Sequence, residues 1–260
     1  MININTNSID LILINNKENN NVNKELYRVL KPGGYLFGID KPHKSHNSVC
    51  DIEDIGFIIK DSISYFFKEN EDVKQDVICL AMKPLSEKNF AENVMKWGTG
   101  GLNIDKCRIG NEKISVHNAP KGTFAGGEPE RGSETIYREH EGRYPANFII
   151  SEDVAPVLDK QSGYSKSSPF KAKGTIEAIN SNLGIKNRQG SNHNDEGGAS
   201  RFFYNAKSYK DLLRYITVLG LPPKESKVLF IGFDNVDEII EEINKESNVN
   251  YEAITIGGIE

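Results

Sequence analysis

Two apolar stretches, SIDLILI at residues 8–14 and YLFGI at residues 35–39, decide the fold class of this chain. Short apolar runs without polar alternation are typical of strands that are buried on both faces. Between them, NKELYRVLK (residues 23–31) predicts a short helix with Leu26, Val29 and Leu30 on one side. The KPGG that follows predicts a turn which ends the helix before the second strand. Strand, helix and strand in this order indicate an α/β sheet.

The remaining regular segments continue this alternation. Residues 45–55 predict a helix that ends at Gly56, which suits the C-cap position. FIIKDSISYFF (57–67) and DVICLAMKP (76–84) predict a hairpin that closes one edge of the sheet. The later predicted elements are a strand RFFYNAK (201–207), an amphipathic helix SYKDLLRYITVLG (208–220), a strand KVLFIGF (227–233), a helix VDEIIEEINKE (236–246) and a strand YEAITIGG (251–258).

Residues 84–200 differ from both flanks because their periodicity is weak and Gly, Ser, Asn, Pro and charged residues dominate. So long an irregular stretch within one domain is typical of a functional insertion or of partial disorder, and residues 165–198 are where we expect disorder. We therefore expect two halves of one sheet, residues 1–83 and 201–260, with the insertion 84–200 projecting from one end.

Composition excludes several classes of protein. The 260 residues are 37% hydrophobic and 27% charged, as in globular proteins. No run of about eighteen apolar residues is present, and no signal peptide is visible, so we expect a cytoplasmic protein without membrane contact. Three widely spaced cysteines, Cys50, Cys79 and Cys107, suit a reducing compartment. His43 and His46 lie near Cys50, but a fourth ligand is missing, and we expect no metal site.

The order of these segments resembles the permuted DNA amino-methyltransferases, which modify adenine N6 or cytosine N4. In that family the catalytic half comes first, a target-recognition insertion follows, and the cofactor-binding half comes last. Four stretches carry the resemblance: RVLKPGGYLFGI (28–39), ENVMKWGTGGLNIDKCRIG (92–110), GRYPANFI (142–149) and GGASRFFYNAKS (197–208). The resemblance implies a Rossmann-like methyltransferase sheet with helices on both faces and a long irregular insertion.

The sequence departs from the family where the target base is held. After the first strand the family has an acidic or Asn residue, two prolines and an aromatic, which hold the amino group and stack on a flipped base. This chain has Asn15, Asn16, Lys17 and Glu18 instead. Asn15 could accept an amino hydrogen, but both prolines and the aromatic are gone. The resemblance therefore leaves Asn15 as a degenerate candidate for the catalytic position.

A second departure lies in the cofactor half, within KVLFIGFDN (227–235). The family has an acidic residue, Pro, an aromatic and a glycine-rich turn there, which approach S-adenosylmethionine closely. Here Gly232 is the one glycine, and Asp234 or Asn235 suits an N-cap for the acidic helix that follows. Gly232, Asp234 and, at the end of the next strand, Glu260 are the candidate cofactor ligands. Phe230 and Phe233 are candidates for filling the pocket.

Basic and aromatic residues of the insertion and its flank are candidates for binding nucleic acid: Trp97, Arg108, Arg143, Arg201 and Lys207. Lys210 is a further candidate for contacting phosphate. Scattered basic residues are also common on any solvated face, and a lone Trp often anchors a loop. The net charge of −5 indicates that any nucleic-acid surface is local.

Three hypotheses follow. The first is a catalytically degenerate methyltransferase-like protein, encoded by a phage or mobile element, that binds nucleic acid or a protein partner and holds no cofactor. The second is an active, divergent DNA methyltransferase that uses S-adenosylmethionine, with Asn15 on the amine and Glu260 on the ribose. The third is a structural or inhibitory subunit of a larger complex.

Overall fold

The structure, a computed structural model, describes residues 3–17, 22–118, 136–166, 195–222, 224–247 and 250–257. The strands in these residues are β1 (Ile9–Asn15), β2 (Leu30–Asp40), β3 (Ile58–Glu69), β4 (Asp72–Met82), β5 (Ile109–Asn118), β6 (Ile136–Arg143), β7 (Phe148–Ser151), β8 (Ser165–Lys166), β9 (Glu196–Gly197), β10 (Tyr204–Ala206), β11 (Ser226–Ile231) and β12 (Tyr251–Ile256). The helices are α1 (Lys24–Val29), α2 (Ser45–Ile55), α3 (Phe90–Trp97), α4 (Ala155–Ser162), α5 (Tyr209–Gly220) and α6 (Val236–Ser247), with 3-10 turns at Ile104–Cys107 and Ala199–Phe202.

The main sheet has eight strands in the order β10-β7-β3-β4-β2-β1-β11-β12. Strand β4 runs antiparallel to both of its neighbours, β2 and β3, and the other neighbouring pairs are parallel. Two small ladders, β5 with β6 and β8 with β9, lie outside this sheet. The predicted α/β fold with a Rossmann-like sheet is confirmed.

Strand β1 lies inside the sheet, and its side chains are divided between two cores. Leu11 and Leu13 face the core that α5 and α6 cover, while Ile12 and Ile14 face the core of α1 and α2. All four side chains are fully buried. Helices therefore cover both faces, as predicted, because a strand that is apolar on both sides needs a covering layer on each.

Local sequence signals place several helices correctly. Helix α2 ends at Gly56, which has a φ of +112° and donates its N–H to the Glu53 carbonyl oxygen at 2.8 Å. Helix α5 begins after Ser208, whose side chain accepts a hydrogen bond from the Asp211 N–H at 3.1 Å. The predicted packing residues of α5 are all buried: Leu212, Leu213, Tyr215, Ile216 and Leu219.

KPGG lies within strand β2 and does not form the predicted turn, so that prediction is wrong. Strand β2 begins at Leu30, directly after α1, and its pairing with β1 shifts register here. Gly33 adopts a φ of +77° and donates its N–H to the Lys83 carbonyl oxygen at 2.9 Å. Lys83 in turn donates its N–H to the Gly34 carbonyl oxygen at 3.0 Å. The left-handed glycine forms a bulge, and the strand continues through it.

The hairpin of β3 and β4 does not close an edge of the sheet, which corrects a second prediction. Strand β7 pairs in parallel with β3, from Ser64 opposite Phe148, and β10 pairs in turn with β7. The segment RFFYNAK is also not a single strand, because the 3-10 turn Ala199–Phe202 precedes the three residues of β10. Strand β10 lies at the edge farthest from β11 and β12.

The range 84–200 thus contributes β7 to the main sheet, and α4 follows that strand directly. The division into residues 1–83, 84–200 and 201–260 stays a prediction. Most of the range 165–198, where we expected disorder, lies outside the described residues. Its described ends form the ladder of Ser165 with Gly197 and Lys166 with Glu196.

Candidate functional site

The order in which the chain adds strands to the sheet reverses between β1 and β11. From β1 the chain crosses through α1 to β2 on one side, and from β11 it crosses through α6 to β12 on the other. In open α/β sheets, ligands bind outside the carboxyl ends of the strands at such a switch point. A cavity of about 430 Å³ lies there, which we call the crevice. It is lined by Asn15, Tyr209, Lys210, Leu213, Gly232, Phe233, Asp234, Asn235, Glu238 and Ile239.

Asn15 ends β1 and connects the two halves of the sheet at the crevice. Its side-chain Nδ2 donates a hydrogen bond to the Gly232 carbonyl oxygen at 3.0 Å. Its Oδ1 accepts from the backbone N–H of Lys17 at 3.3 Å. A carboxamide satisfies both neighbours in this orientation alone, since the carbonyl needs a donor and the N–H needs an acceptor. Asn15, the candidate for the catalytic position, therefore lines the crevice with both ends of its amide hydrogen-bonded within the chain.

Two of the three candidate cofactor residues, Gly232 and Asp234, line the crevice after β11. Gly232 follows β11 with a φ of +72° and donates its N–H to the Ile256 carbonyl oxygen at 3.0 Å. Asp234 lines the crevice, and Asn235, with a φ of +54°, is the last residue before α6. The third candidate, Glu260, lies outside the described residues.

Of the two phenylalanines expected in the crevice, Phe233 lines it and Phe230 does not. Phe230 is fully buried in the core on the α5 side, so the expectation that it occupies the crevice is wrong. Phe233 packs against it edge-to-face, with ring centroids 6.1 Å apart, and forms part of the wall. Side chains along a strand point alternately to the two faces of the sheet, and that of Phe230 points to the face covered by α5 and α6.

Charge at the crevice is dominated by α6. Asp237 and Glu238 lie in its first turn, and Lys210 forms ion pairs with Glu238 at 3.0 Å and Glu242 at 2.7 Å. Hydrogen bonds to these two glutamates raise the pKa of Lys210. A helix N-terminus favours an anion, but acidic side chains there already meet that preference and repel a second carboxylate. The lining therefore does not fit the carboxylate end of S-adenosylmethionine.

A second cavity, of about 570 Å³, lies on the same edge of the sheet and shares Tyr209 with the crevice. We call it the aromatic cavity. It is lined by Lys17, Tyr65, Phe67, Lys68, Asp76, Ser151, Glu152, Asp153, Lys207, Ser208 and Tyr209. The rings of Tyr65 and Phe67 are stacked, with centroids 5.3 Å apart and planes 18° apart.

Lys17 extends into the aromatic cavity. Its Nζ lies 2.5 Å from Asp76 Oδ2, 4.4 Å from the centroid of the Tyr209 ring and 5.8 Å from that of Phe67. Asp76 is 3% exposed, and its burial raises the pKa of the carboxyl group although the Lys17 ammonium lowers it. The ammonium of Lys17 thus lies over two of the rings that line this cavity.

The sequence analysis missed Asp76 and the rings around it. The two-residue turn between β3 and β4 could have indicated part of this cluster. Glu69 pairs with Asp72 across this turn, which contains Asn70 at a φ of +59°. A two-residue hairpin fixes the register of the whole ladder, and this one places Tyr65 opposite Asp76. Nothing local in the sequence indicates that Tyr209, on a distant helix, joins them.

The predicted nucleic-acid residues do not form one surface. Trp97 is partly buried and donates its Nε1–H to Ser86 Oγ at 2.7 Å, so its ring anchors its own loop. Arg108 binds Asp105, with Nε 2.9 Å from Oδ1. Lys207 is exposed and lines the aromatic cavity at the carboxyl edge of the sheet.

Arg143 and Arg201 belong to a cluster that we call the clamp. Both bind Asp195, with Arg143 Nη2 2.6 Å from Oδ2 and Arg201 Nε 2.8 Å from Oδ1. Both guanidinium groups also lie over the ring of Phe202, at 4.8 Å and 4.1 Å from its centroid. Arg143 makes a further ion pair with Glu112 at 2.7 Å. These two arginines connect the β5–β6 ladder to the chain after residue 195.

Two further findings concern the described residues. No helix there is long and apolar enough to cross a membrane. Within the same residues, no group of three or more His, Cys, Asp or Glu side chains is arranged to hold a metal ion.

Comparisons with known proteins concern the fold. No family model matches the chain, and no curated protein sequence matches it. Among solved structures, the chain is similar to the crystal structure of an M1.HpyAVI-SAM complex, with a TM-score of 0.42 and 11% sequence identity over 95% of this chain and 81% of that one. It is also similar to the crystal structure of M1.HpyAVI, with a TM-score of 0.43 and 11% identity over 95% and 80% of the two chains.

Proposed function

We propose that this chain is a methyltransferase-like protein that does not transfer methyl groups and acts by binding nucleic acid or a protein partner. The observation that carries the proposal is the engagement of Asn15. Methyl transfer to an exocyclic amine requires an acceptor oxygen that holds the amine in a fixed geometry. The Oδ1 of Asn15 accepts the Lys17 N–H, and its Nδ2 binds Gly232. Turning the amide towards a substrate would break both hydrogen bonds.

The surroundings of Asn15 support the same proposal. The Lys17 ammonium lies over the ring of Tyr209, which lines the crevice, and is held by Asp76. A flipped base that entered to stack would displace this cation and separate an ion pair whose carboxylate is buried. On the cofactor side, Lys210 and the glutamates of α6 form ion pairs at the crevice. Binding of a base and binding of the cofactor would therefore each have to disrupt existing ion pairs.

The test is a radiolabel-transfer assay with S-adenosylmethionine and unmodified DNA, together with calorimetry of cofactor binding. We expect neither measurable transfer nor saturable binding by the parent protein. Asn15→Ala serves as the matched variant, since it removes the amide and keeps the aromatic cavity. Transfer by the parent that is lost in Asn15→Ala would overturn the proposal.

Binding of DNA and binding of a protein are separated by a titration of labelled duplex at several salt concentrations. A phosphate contact of Lys207 predicts that Lys207→Ala lowers the salt slope by about 1. Lys60→Ala is the control, because Lys60 is exposed near the opposite, amino-terminal end of β3. Absence of salt-dependent binding by the parent would exclude the DNA branch and leave the protein partner.

One observation favours the alternative, an active and divergent DNA methyltransferase. The crevice at the switch point is open, with a volume of about 430 Å³, and both Asn15 and Gly232 line it. An open crevice is the expected location of a ligand in this type of sheet. The same transfer assay decides between the two functions.

A further inference from the structure

The aromatic cavity combines three rings with a buried carboxylate. Tyr65 and Phe67 form a stacked pair from β3, and Tyr209 approaches from the start of α5. Asp76, on the neighbouring strand β4, is 3% exposed. Aromatic faces that converge beside a carboxylate are the arrangement with which proteins bind organic cations.

We infer that the aromatic cavity is a binding site for an alkylated ammonium group, with the Lys17 side chain as its internal occupant. The protein's own cation already makes the contacts that such a ligand needs. Its Nζ lies over the rings of Tyr209 and Phe67 and pairs with Asp76. The site therefore already holds one cation, and a ligand competes with Lys17 for it.

The size of the cavity leaves room for that competition. Its volume is about 570 Å³ with Lys17 in place, so a group with several methyl substituents has space beside the rings. The side chain of Lys17 is 21% exposed and belongs to the loop after β1, which allows it to swing outwards. A small cationic ligand can therefore displace the ammonium without moving a core strand.

Charge around the cavity also favours a cation. The lining carboxylates are Asp76, Glu152 and Asp153, and the lining lysines other than Lys17 are Lys68 and Lys207. Once Lys17 moves out, carboxylates outnumber ammonium groups by one. An anionic ligand such as a phosphate would meet this excess of negative charge, and a neutral one would lose the interaction with Asp76.

The alkylated ammonium could be a free amine or a methylated lysine of a protein partner. Choline and a peptide that contains trimethyllysine present the same head group and separate these two sources. Tighter binding of the peptide indicates a protein ligand, and equal or tighter binding of choline indicates a small molecule. The cation site requires neither methyl transfer nor its absence, so the test is independent of the proposed function.

The experiment is a ligand-observed NMR titration of the full chain with choline and with 3,3-dimethylbutanol, which has the same shape without the charge. We expect choline to bind and the alcohol to fail. Lys17→Met removes the internal competitor and should raise choline affinity about tenfold, since a cation–π contact and an ion pair no longer need to be broken. Asp76→Asn and Tyr209→Leu should each reduce choline affinity, and Lys60→Met, outside the cavity, should leave it unchanged.

Several results would overturn the inference. Equal binding of the alcohol would identify a merely apolar pocket, and binding of adenosine without choline would identify a base pocket. An unchanged choline affinity in Lys17→Met would show that Lys17 does not compete. Circular dichroism of each variant confirms folding, and Tyr209→Leu provides the loss-of-binding test if Asp76→Asn does not fold.

Discussion

A substitution in the clamp of Arg143, Asp195 and Arg201 tests whether the two arginines have a structural role or the predicted role in nucleic-acid binding. The perturbation is Asp195→Asn, which keeps the shape of the side chain. The amide replaces one carboxylate oxygen with an NH2 group that faces a guanidinium and cannot accept its hydrogen bond. One of the two arginine contacts is therefore lost, and the other loses its charge.

The magnitude follows from the number and exposure of these contacts. A hydrogen bond to a charged group contributes about 1.5 to 3 kcal/mol to stability. The side chain of Asp195 is 9% exposed, while those of Arg143 and Arg201 are 23% and 19% exposed, so solvent screens the pair partly. Both arginines also keep other acceptors, Glu112 for Arg143 and the Gly197 carbonyl for Arg201. We therefore expect a loss of about 2 kcal/mol in the free energy of unfolding.

The assay is urea unfolding at pH 7, with Glu196→Gln as the control. Glu196 is the next residue and pairs with Lys166 at 2.7 Å, but the two side chains are 47% and 66% exposed. An exposed pair of this kind contributes at most about 1 kcal/mol. If Asp195→Asn were no less stable than Glu196→Gln, the clamp would have no structural role, and its arginines would be available for DNA.

The same variant gives a pH dependence with a defined sign. Burial acts to raise the pKa of Asp195, but the hydrogen bond and charge of Arg201 and the charge of Arg143 hold it below its ordinary value. A lowered pKa in the folded state contributes stability that is present above the unfolded pKa, about 3.9, and is lost as the pH falls through the folded value. The difference between parent and Asp195→Asn should therefore be constant near neutral pH and narrow below about pH 4.

Two further predictions concern buried polar groups. Lys83 is 7% exposed, and its Nζ donates to two backbone carbonyls and one side chain. In urea titrations, Lys83→Met should therefore lower the free energy of unfolding by about 3 kcal/mol. Lys88→Met is the control and should leave it unchanged, because Lys88 is exposed. In thiol labelling of the native protein, Cys50 should react readily while Cys79 and Cys107 should not, because burial raises the pKa of both to about 12; rapid labelling of all three without denaturant would contradict the packing.

The central part of the fold was predictable because its signals are local. Continuous apolar runs predict β1 and β11, and a C-cap glycine and an N-cap serine set the ends of α2 and α5. Strand β7 was not predictable in the same way. It has four residues, FIIS, within an irregular stretch, and it is a strand because β3 offers it an unpaired edge. Non-local pairing of this kind leaves little periodicity in the sequence.

In the candidate site, too, the residues with a local sequence signal were predictable and those that depend on non-local packing were not. Asn15 and Gly232 were proposed from the family resemblance, and the structure brings them together because the carboxyl ends of the adjacent parallel strands β1 and β11 meet at one edge. The arginines of the clamp were predicted as phosphate ligands, and their partners lie far away in sequence, so composition could not reveal the ion pairs. Asp76 and Tyr209 come together only through the register of a hairpin and the packing of α5.

Two residues at the switch point also contribute to the stability of the fold. The side chain of Asn15 connects β1 to Gly232, the residue after β11, by a hydrogen bond. The side chain of Lys17 connects the loop after β1 to β4 by its ion pair with Asp76. These contacts stabilise the folded chain at the carboxyl edge of the sheet. Introducing a base-holding loop here would remove the amide contact with Gly232 and leave the carboxylate of Asp76 buried without its cation. A different loop at this place would therefore require compensating substitutions in β4 and after β11, because the present loop and its partners stabilise one another.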